Sequence, residues 1–195
     1  MIQRDTRRAL IDAAADVIAR RGVESASIRE IYTLAGVKAP TLYHHFGDKR
    51  GLLDAVVTDA FDRYLAQKRA LRASGDARTI IRRGWDAHVD FARKNPALYR
   101  LMWPGGQAEL PPAAAQSARE LHDGFGELAR AGRLRPGMTP RQAARVLSAA
   151  LTGVTAAIIR DPGDPGNARL SATIRDAVID ALLAPEASDD TPEEL

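Results

Sequence analysis

Apolar residues recur along this chain at intervals of three and four, and no stretch alternates in the convincing two-residue rhythm of a strand. From about Thr6 to Arg21, Ala9, Leu10, Ala13, Val17 and Ile18 fall on one stripe, and Gly22 follows as a stop. The spacing resumes after Ser27 with Ile28, Ile31, Leu34 and Ala35. Ser27 with Glu30 three residues on has the signature of a capping box. Ala35-Gly36-Val37 reads as a tight turn: Gly36 is free to take a left-handed backbone, and Val37 is apolar enough to bury and set the angle of a second short helix. That helix runs to about His45. Leu42 and Phe46 point inward from it and leave Lys38, Ala39, Thr41, Tyr43 and His44 outside. Gly47-Asp48 stops it and caps a longer helix, whose stripe of Leu52, Leu53, Val56, Val57, Phe61, Tyr64 and Leu65 carries beyond Gln67.

The rest of the chain is helical by the same test. A helix from about Asp76 to Lys94 repeats Ile81, Trp85, His88, Val89 and Ala92, and Asn95-Pro96 opens a short one that Pro104-Gly105-Gly106 ends. After Pro111-Pro112 comes a helix with Ala118, Leu121, His122, Phe125, Leu128 and Ala129 on one face, closing at Gly132. Thr139-Pro140 starts the next, with Ala143, Val146, Leu147, Ala150, Leu151, Val154 and Ile158. A Pro- and Gly-rich loop then leads to a last helix marked by Leu170, Ile174, Val178 and Leu182. The expected fold is all-α with about nine helices. Residues 1–50 form a three-helix helix-turn-helix domain, 51–185 a larger helical domain, and 186–195 an acidic tail of disordered composition.

Tyr, Thr, His and Lys exposed on one short helix are suited to reading DNA, and Lys49 stands near a helix N-terminus where a phosphate can be met. A solvated helical hairpin would share the spacing. The family resemblance weighs for DNA. The amphipathic first helix, Gly22, Ser27, Ala35-Gly36-Val37, Thr41-Leu42-Tyr43, Phe46, Lys49 and Leu52-Leu53 resemble the DNA-binding domain of the TetR family of bacterial transcriptional repressors, over about the first fifty-five residues. Two positions depart from it. Tyr32 stands where a small Ala is usual and reads as structural, and Lys38, where Ser is common, opens the recognition helix with a charge for a phosphate or a guanine.

The resemblance implies that Ser27, Tyr43 and Lys49 hold phosphates, that Lys38, Pro40, Thr41 and His44 face bases, and that Arg29 does either. It also implies a homodimer. The two last long helices, poor in aromatics, take the place of a four-helix dimer interface, and a two-fold operator in double-stranded DNA needs two heads. Completion of the monomer core is the alternative use of those helices.

Composition narrows the setting. With 195 residues, 45% of them hydrophobic, the chain is long enough for a sizeable core plus a small extra domain, and it has no cysteine for a disulfide or a thiolate site. No apolar run approaches the ~18 residues of a membrane span, and the charged N-terminal stretch lacks the apolar core of a signal peptide, so no membrane role and a cytoplasmic location are expected. The net charge of +3 is unevenly spread. The first fifty residues hold nine Lys and Arg against six Asp and Glu, and the remainder is balanced. Arg4, Arg7 and Arg8 form a basic entry to the first helix that supports contact with a DNA backbone.

The central helices concentrate both tryptophans and the two histidines outside the DNA motif. Trp85, His88, Tyr99, Met102, Trp103, His122 and Phe125 have the makeup of an apolar small-molecule cavity with a few polar groups, and core packing is the alternative for such a stripe. The Gly84–His88 and Asn95–Trp103 segments also resemble a subgroup of the family's C-terminal domains. A metal is not expected at His88 and His122, no cofactor motif is present, and neither a phosphate loop, a nucleophile elbow nor an HExxH pattern points to an enzyme. The function expected is a ligand-responsive repressor. A helical small-molecule-binding protein without a DNA role is the alternative.

Overall fold

The computed structural model describes residues 2–72, 75–104 and 112–185. They form α1 (Ile2–Arg21), α2 (Ile28–Leu34), α3 (Ala39–Phe46), α4 (Lys49–Arg72), α5 (Ala77–Lys94), α6 (Pro96–Met102), α7 (Pro112–Arg130), α8 (Pro140–Arg160) and α9 (Asn167–Leu182). Among the described residues the only β pairing is an isolated bridge between Leu134 and Leu183, which ties the α7–α8 loop to the segment after α9. The expected acidic tail lies outside the described residues, as does most of the Pro104–Pro111 break.

Three apolar cores hold the helices. Leu10, Ala14, Val17 and Ile18 of α1 meet Ile31 of α2, Leu42 of α3, and Leu52 and Val56 of α4 in the first. The second joins Trp85 of α5, Phe125 of α7, Leu147, Leu151 and Val154 of α8, and Ile179 and Leu182 of α9. The third packs Val57, Phe61 and Tyr64 of α4 against Met102 of α6 and Ala114 of α7. Helix α4 therefore belongs to the first core by its N-terminal turns and to the third by its middle.

Local details depart from the sequence reading in instructive ways. Ser27 occupies the N-cap of α2 with extended backbone, but its side chain makes no cap bond, so the expected capping box does not form. Glu30 turns instead to Arg20 at 3.4 Å and Arg21 at 2.9 Å, because two guanidiniums ending α1 offer charge-assisted bonds that a neutral backbone N–H does not match. A capping box does form at α8. Thr139 Oγ1 accepts from the Gln142 N–H at 3.3 Å, and Gln142 Oε1 accepts from the Thr139 N–H at 3.0 Å.

Arg8 is also placed differently. Its Nη1 donates to Asp59 at 2.6 Å and its Nη2 to Asp12 at 2.7 Å, which latches α1 to α4. Arg7 lies over the Phe46 ring at 5.3 Å, and the side chain of Arg4 is outside the described set. Beside the latch lies a hollow of about 480 Å³, in which the charged side chains of Asp5, Arg7, Arg8, Asp59 and Asp62 surround an apolar floor that includes Ile11 and Ala55.

Two glycines set the angles of the N-terminal helices. Gly36 takes φ +69° in the α2–α3 turn. At Gly51 a Cβ would stand 2.1 Å from the Phe46 carbonyl oxygen, so only glycine lets the first turn of α4 lie against the end of α3.

Helix α8 corrects an expectation. Its 21 residues are long and apolar enough, by length and composition, to cross a membrane. Arg145, Ser148, Thr152 and Thr155 break its apolar residues into short pieces and hide this from a search for unbroken apolar runs. One stripe of α8 enters the second core, yet only 33% of its most apolar window is buried. Val146 on α8 and Leu170 on α9 stay 38% and 40% exposed.

Candidate nucleic-acid interface and ligand cavity

Helix α3 is anchored by one fully buried side chain, Leu42, and Pro40 presets the backbone of its first turn. The opposite face is open. Lys38, Pro40, Tyr43 and His44 are exposed there, Thr41 is half-buried, and Tyr43 keeps 50% of its surface in solvent despite its size. Ser27 and Arg29 are exposed at the start of α2. Because Ser27 spends no hydroxyl bond on capping, its side chain remains suited to an external acceptor. Tyr32 is half-buried against the first core, in keeping with a structural part.

Lys49 sits more deeply than its sequence position implied. Its Nζ donates to the Ala26 carbonyl at 2.8 Å, pinning the start of α4 to the loop before α2. That bond uses one of three ammonium protons and sets the charge at the carbonyl of the residue preceding Ser27.

The second site is a cavity of about 410 Å³ between α4, α5, α6, α7 and α8. Trp85, His88, Tyr99, Trp103 and Phe125, five of the seven residues the sequence offered for such a site, line it. Two expected members do not. Met102 is fully buried in the third core, one residue short of Trp103, which takes the wall position. His122 is exposed because Leu121 and Phe125 own the inward face of α7 and the next residue is turned about 100° away.

Three polar residues at the site escaped the sequence reading: Tyr64 as a hydrogen-bonding group, Lys68 and Thr155. A signal existed for the last two. Lys68 continues the apolar register of α4 four residues after Tyr64, and Thr155 interrupts the buried stripe of α8.

Geometry fixes the direction of the buried hydrogen bonds. The Thr155 hydroxyl donates to the Leu151 carbonyl at 2.7 Å and so accepts from the Tyr99 hydroxyl at 2.9 Å. Tyr99, having given its proton, accepts from His88 Nε2–H at 3.1 Å, and His88 Nδ1 accepts from the Tyr64 hydroxyl at 2.7 Å. This chain needs a neutral imidazole. Burial supplies it, with the nearby charge of Lys68 adding to the effect, and together they push the His88 pKa down to about 3. Burial likewise raises the Tyr99 phenol and keeps its proton in place.

Trp103 packs against this chain with ring centroids 5.3 Å from Tyr64, 5.2 Å from His88 and 4.8 Å from Tyr99. Trp85 is fastened from behind: its Nε1 donates to Ser171 of α9 at 2.9 Å.

Comparison with known proteins adds the lineage. Residues 10–56 match the family described as bacterial regulatory proteins of the tetR family, and residues 81–182 match the tetracyclin repressor-like C-terminal domain. The chain is 37% identical over 117 residues to the transcriptional activator FasR of Mycolicibacterium smegmatis, covering 59% of this chain and 53% of that protein. It is 30% identical over 99 residues to the transcriptional repressor KstR2 of Rhodococcus jostii, covering 48% of each. The chain thus spans about half the length of these curated relatives. A solved structure concerned with the control of antibiotic production by bacterial hormones superposes with TM-score 0.78 at 26% identity, covering 92% of this chain and 98% of that one. Matched at both its helix-turn-helix and its cavity-bearing half, the chain belongs to the TetR family of bacterial transcriptional regulators.

Proposed function

We propose that this protein is a cytoplasmic homodimeric repressor that holds a two-fold operator and releases it when a small apolar or aromatic molecule enters the cavity. One observation carries the reading: α4 is at once part of the core that supports α3 and part of the cavity wall. An occupant that moves α4 moves the recognition helix with it. Ser27, Tyr43 and Lys49 grip phosphates, Lys38, Pro40, Thr41 and His44 face base edges, and Arg29 serves either purpose. Two heads must match half-sites about 34 Å apart, so a small change in their separation misaligns both together. The incompletely buried apolar surface of α8, with Val146 and Leu170 exposed, supports pairing of α8 and α9 with a second copy.

The test is fluorescence anisotropy of the purified protein on the DNA flanking its gene and on a scrambled duplex, across a salt series. Preferential binding that weakens steeply with salt is expected. Equal binding to both duplexes counts against the proposal.

A further inference from the structure

We propose that the effector is a neutral apolar molecule with one hydroxyl-type group, able both to give and to accept a hydrogen bond, and that this group is read by insertion between Tyr64 of α4 and His88 of α5. This rests on the reading of the cavity as the effector site.

The direction of every proton in the buried chain is set from its far end. Thr155 gives its hydroxyl proton to the Leu151 carbonyl at 2.7 Å, so toward Tyr99, at 2.9 Å, it can only accept. Tyr99 has then spent its own proton and accepts from His88 Nε2–H at 3.1 Å. A neutral imidazole has a single N–H. With that N–H at Nε2, the Nδ1 atom is an obligate acceptor, filled by the Tyr64 hydroxyl at 2.7 Å. Burial keeps the ring neutral, so no second N–H forms at Nδ1. Tyr64, His88 and Tyr99 all border the cavity, and the Tyr64–His88 bond is the one link of this chain that reaches α4.

Any group that replaces Tyr64 at Nδ1 must donate. The Tyr64 hydroxyl it displaces then needs an acceptor, because a buried donor without one is costly. A hydroxyl meets both needs with one oxygen, accepting from Tyr64 and donating to Nδ1. A carboxylate or an ether has no proton for Nδ1, and an ammonium has no lone pair for Tyr64. Two hydrogen bonds in series replace one, which widens the gap between Tyr64 and His88 by ~2 Å. Helix α5 is fastened on its other side to α9, by Trp85 Nε1 donating to Ser171 at 2.9 Å and by Arg175 with Asp86 at 2.8 Å, so the shift falls on α4. Lys68, which donates to the Gly84 carbonyl, can follow that shift on its flexible stem. Ser148 and Thr152 also border the cavity, on the exposed side of α8. A hydroxyl bound there would owe nothing to His88, and a His88 variant separates the two.

The test uses pairs that differ in the donated proton: 2-naphthol against 2-methoxynaphthalene, and 1-octanol against 1-methoxyheptane, bodies of a size for a cavity of about 410 Å³. By calorimetry at neutral pH, at least one hydroxyl probe should bind about tenfold or more tighter than its ether. His88→Leu should bring that ratio close to one. Tyr64→Phe should keep it, because Nδ1 still needs a donor, and should lose operator release, because no link to α4 is left to open. In anisotropy the Y64F operator complex should be weaker before any probe is added, and saturating probe should weaken it further by about twofold or less. A packing role for Tyr64 predicts neither the retained ratio nor the lost release. If H88L loses the cooperative melt of the wild type, Y64F decides. The proposal is overturned by hydroxyl and ether probes that bind alike, by no binding of either hydroxyl probe, by a ratio that survives in H88L or vanishes in Y64F, or by Y64F released as fully as the wild type. A wild type that shows the ratio and keeps its operator when filled sinks the release mechanism alone, and one released equally by the ethers sinks the inserted hydroxyl alone.

Discussion

Lys38 and Tyr43 stand a turn and a half apart on the open face of α3, and their chemistry separates two kinds of contact. Replacing Tyr43 by Phe removes one hydroxyl and no apolar packing, so it should weaken every operator alike, by about 1 kcal/mol. A Y43F protein that binds as tightly as the wild type would remove Tyr43 from the phosphate set. Lys38→Ala should instead alter the ranking among operator variants, by ~1–3 kcal/mol at the base it faces, visible as a flattened profile in a single-substitution binding series. His88 supports a prediction on stability. Its imidazole binds a proton near pH 6.5 when unfolded and only near pH 3 when folded, so the unfolded state holds more protons between those values and stability falls as pH drops through that window. The slope should reach at most ~1.4 kcal/mol per pH unit. Asp12, held down by Arg8, and Asp176, held down by Arg175, add their own losses only below about pH 4, where the unfolded carboxylates take up protons. Melting temperatures between about pH 7 and 4.5 should therefore decline in the wild type and stay flatter in H88Q.

Elements were read from the sequence mainly by their apolar registers, and the errors sit where polar groups had a choice of partner. The stripes of α1, α4, α5 and α8 each pointed to buried residues because a helix that buries one face leaves a three-to-four spacing in its sequence. Glu30 could pair with Ser27's backbone or with two arginines, and spacing does not hold the position of Arg20 and Arg21 across a turn. The same limit applied to Arg8, whose partner Asp59 is 51 residues away, and to Tyr64, whose hydroxyl finds His88 only after α4 and α5 pack. Among the cavity residues, Trp85 and Phe125 were legible as inward-facing aromatics, and His122 was misplaced by a single step around α7. Gly51 carried no signal in composition, since the carbonyl it accommodates belongs to the preceding helix. Gly51→Ala should cost ~1–3 kcal/mol in denaturant unfolding, because a methyl 2.1 Å from the Phe46 oxygen must push α3 away from α4. Operator affinity should fall with it, as α3 loses its setting. Unfolding unchanged in G51A would mean that the two helices are free to adjust.

At the scale of the whole molecule, the exposed apolar surface of α8 and α9 and the needs of a two-fold operator bear on one measurement. Val146→Glu combined with Leu170→Glu should turn a dimer into a monomer in sedimentation and lower operator affinity by about a hundredfold or more, through loss of the second head's linked contact. A double variant that sediments as the wild type does would place the interface elsewhere. The ion pairs of α5 with α9, Arg78 to Asp180 at 2.6 Å and Arg175 to Asp86 at 2.8 Å, bind the cavity wall to the helices beside that surface. Finally, the length of α4 acts as a lever. Its 24 residues make a rod of about 36 Å, so a tilt of ~5° about the cavity end sweeps the other end through ~3 Å. That is close to the ~3.4 Å rise between neighbouring bases along a strand. In the proposed mechanism, a ligand that leans on α4 by less than the width of a methyl group becomes, through leverage alone, a reading frame displaced by about one letter.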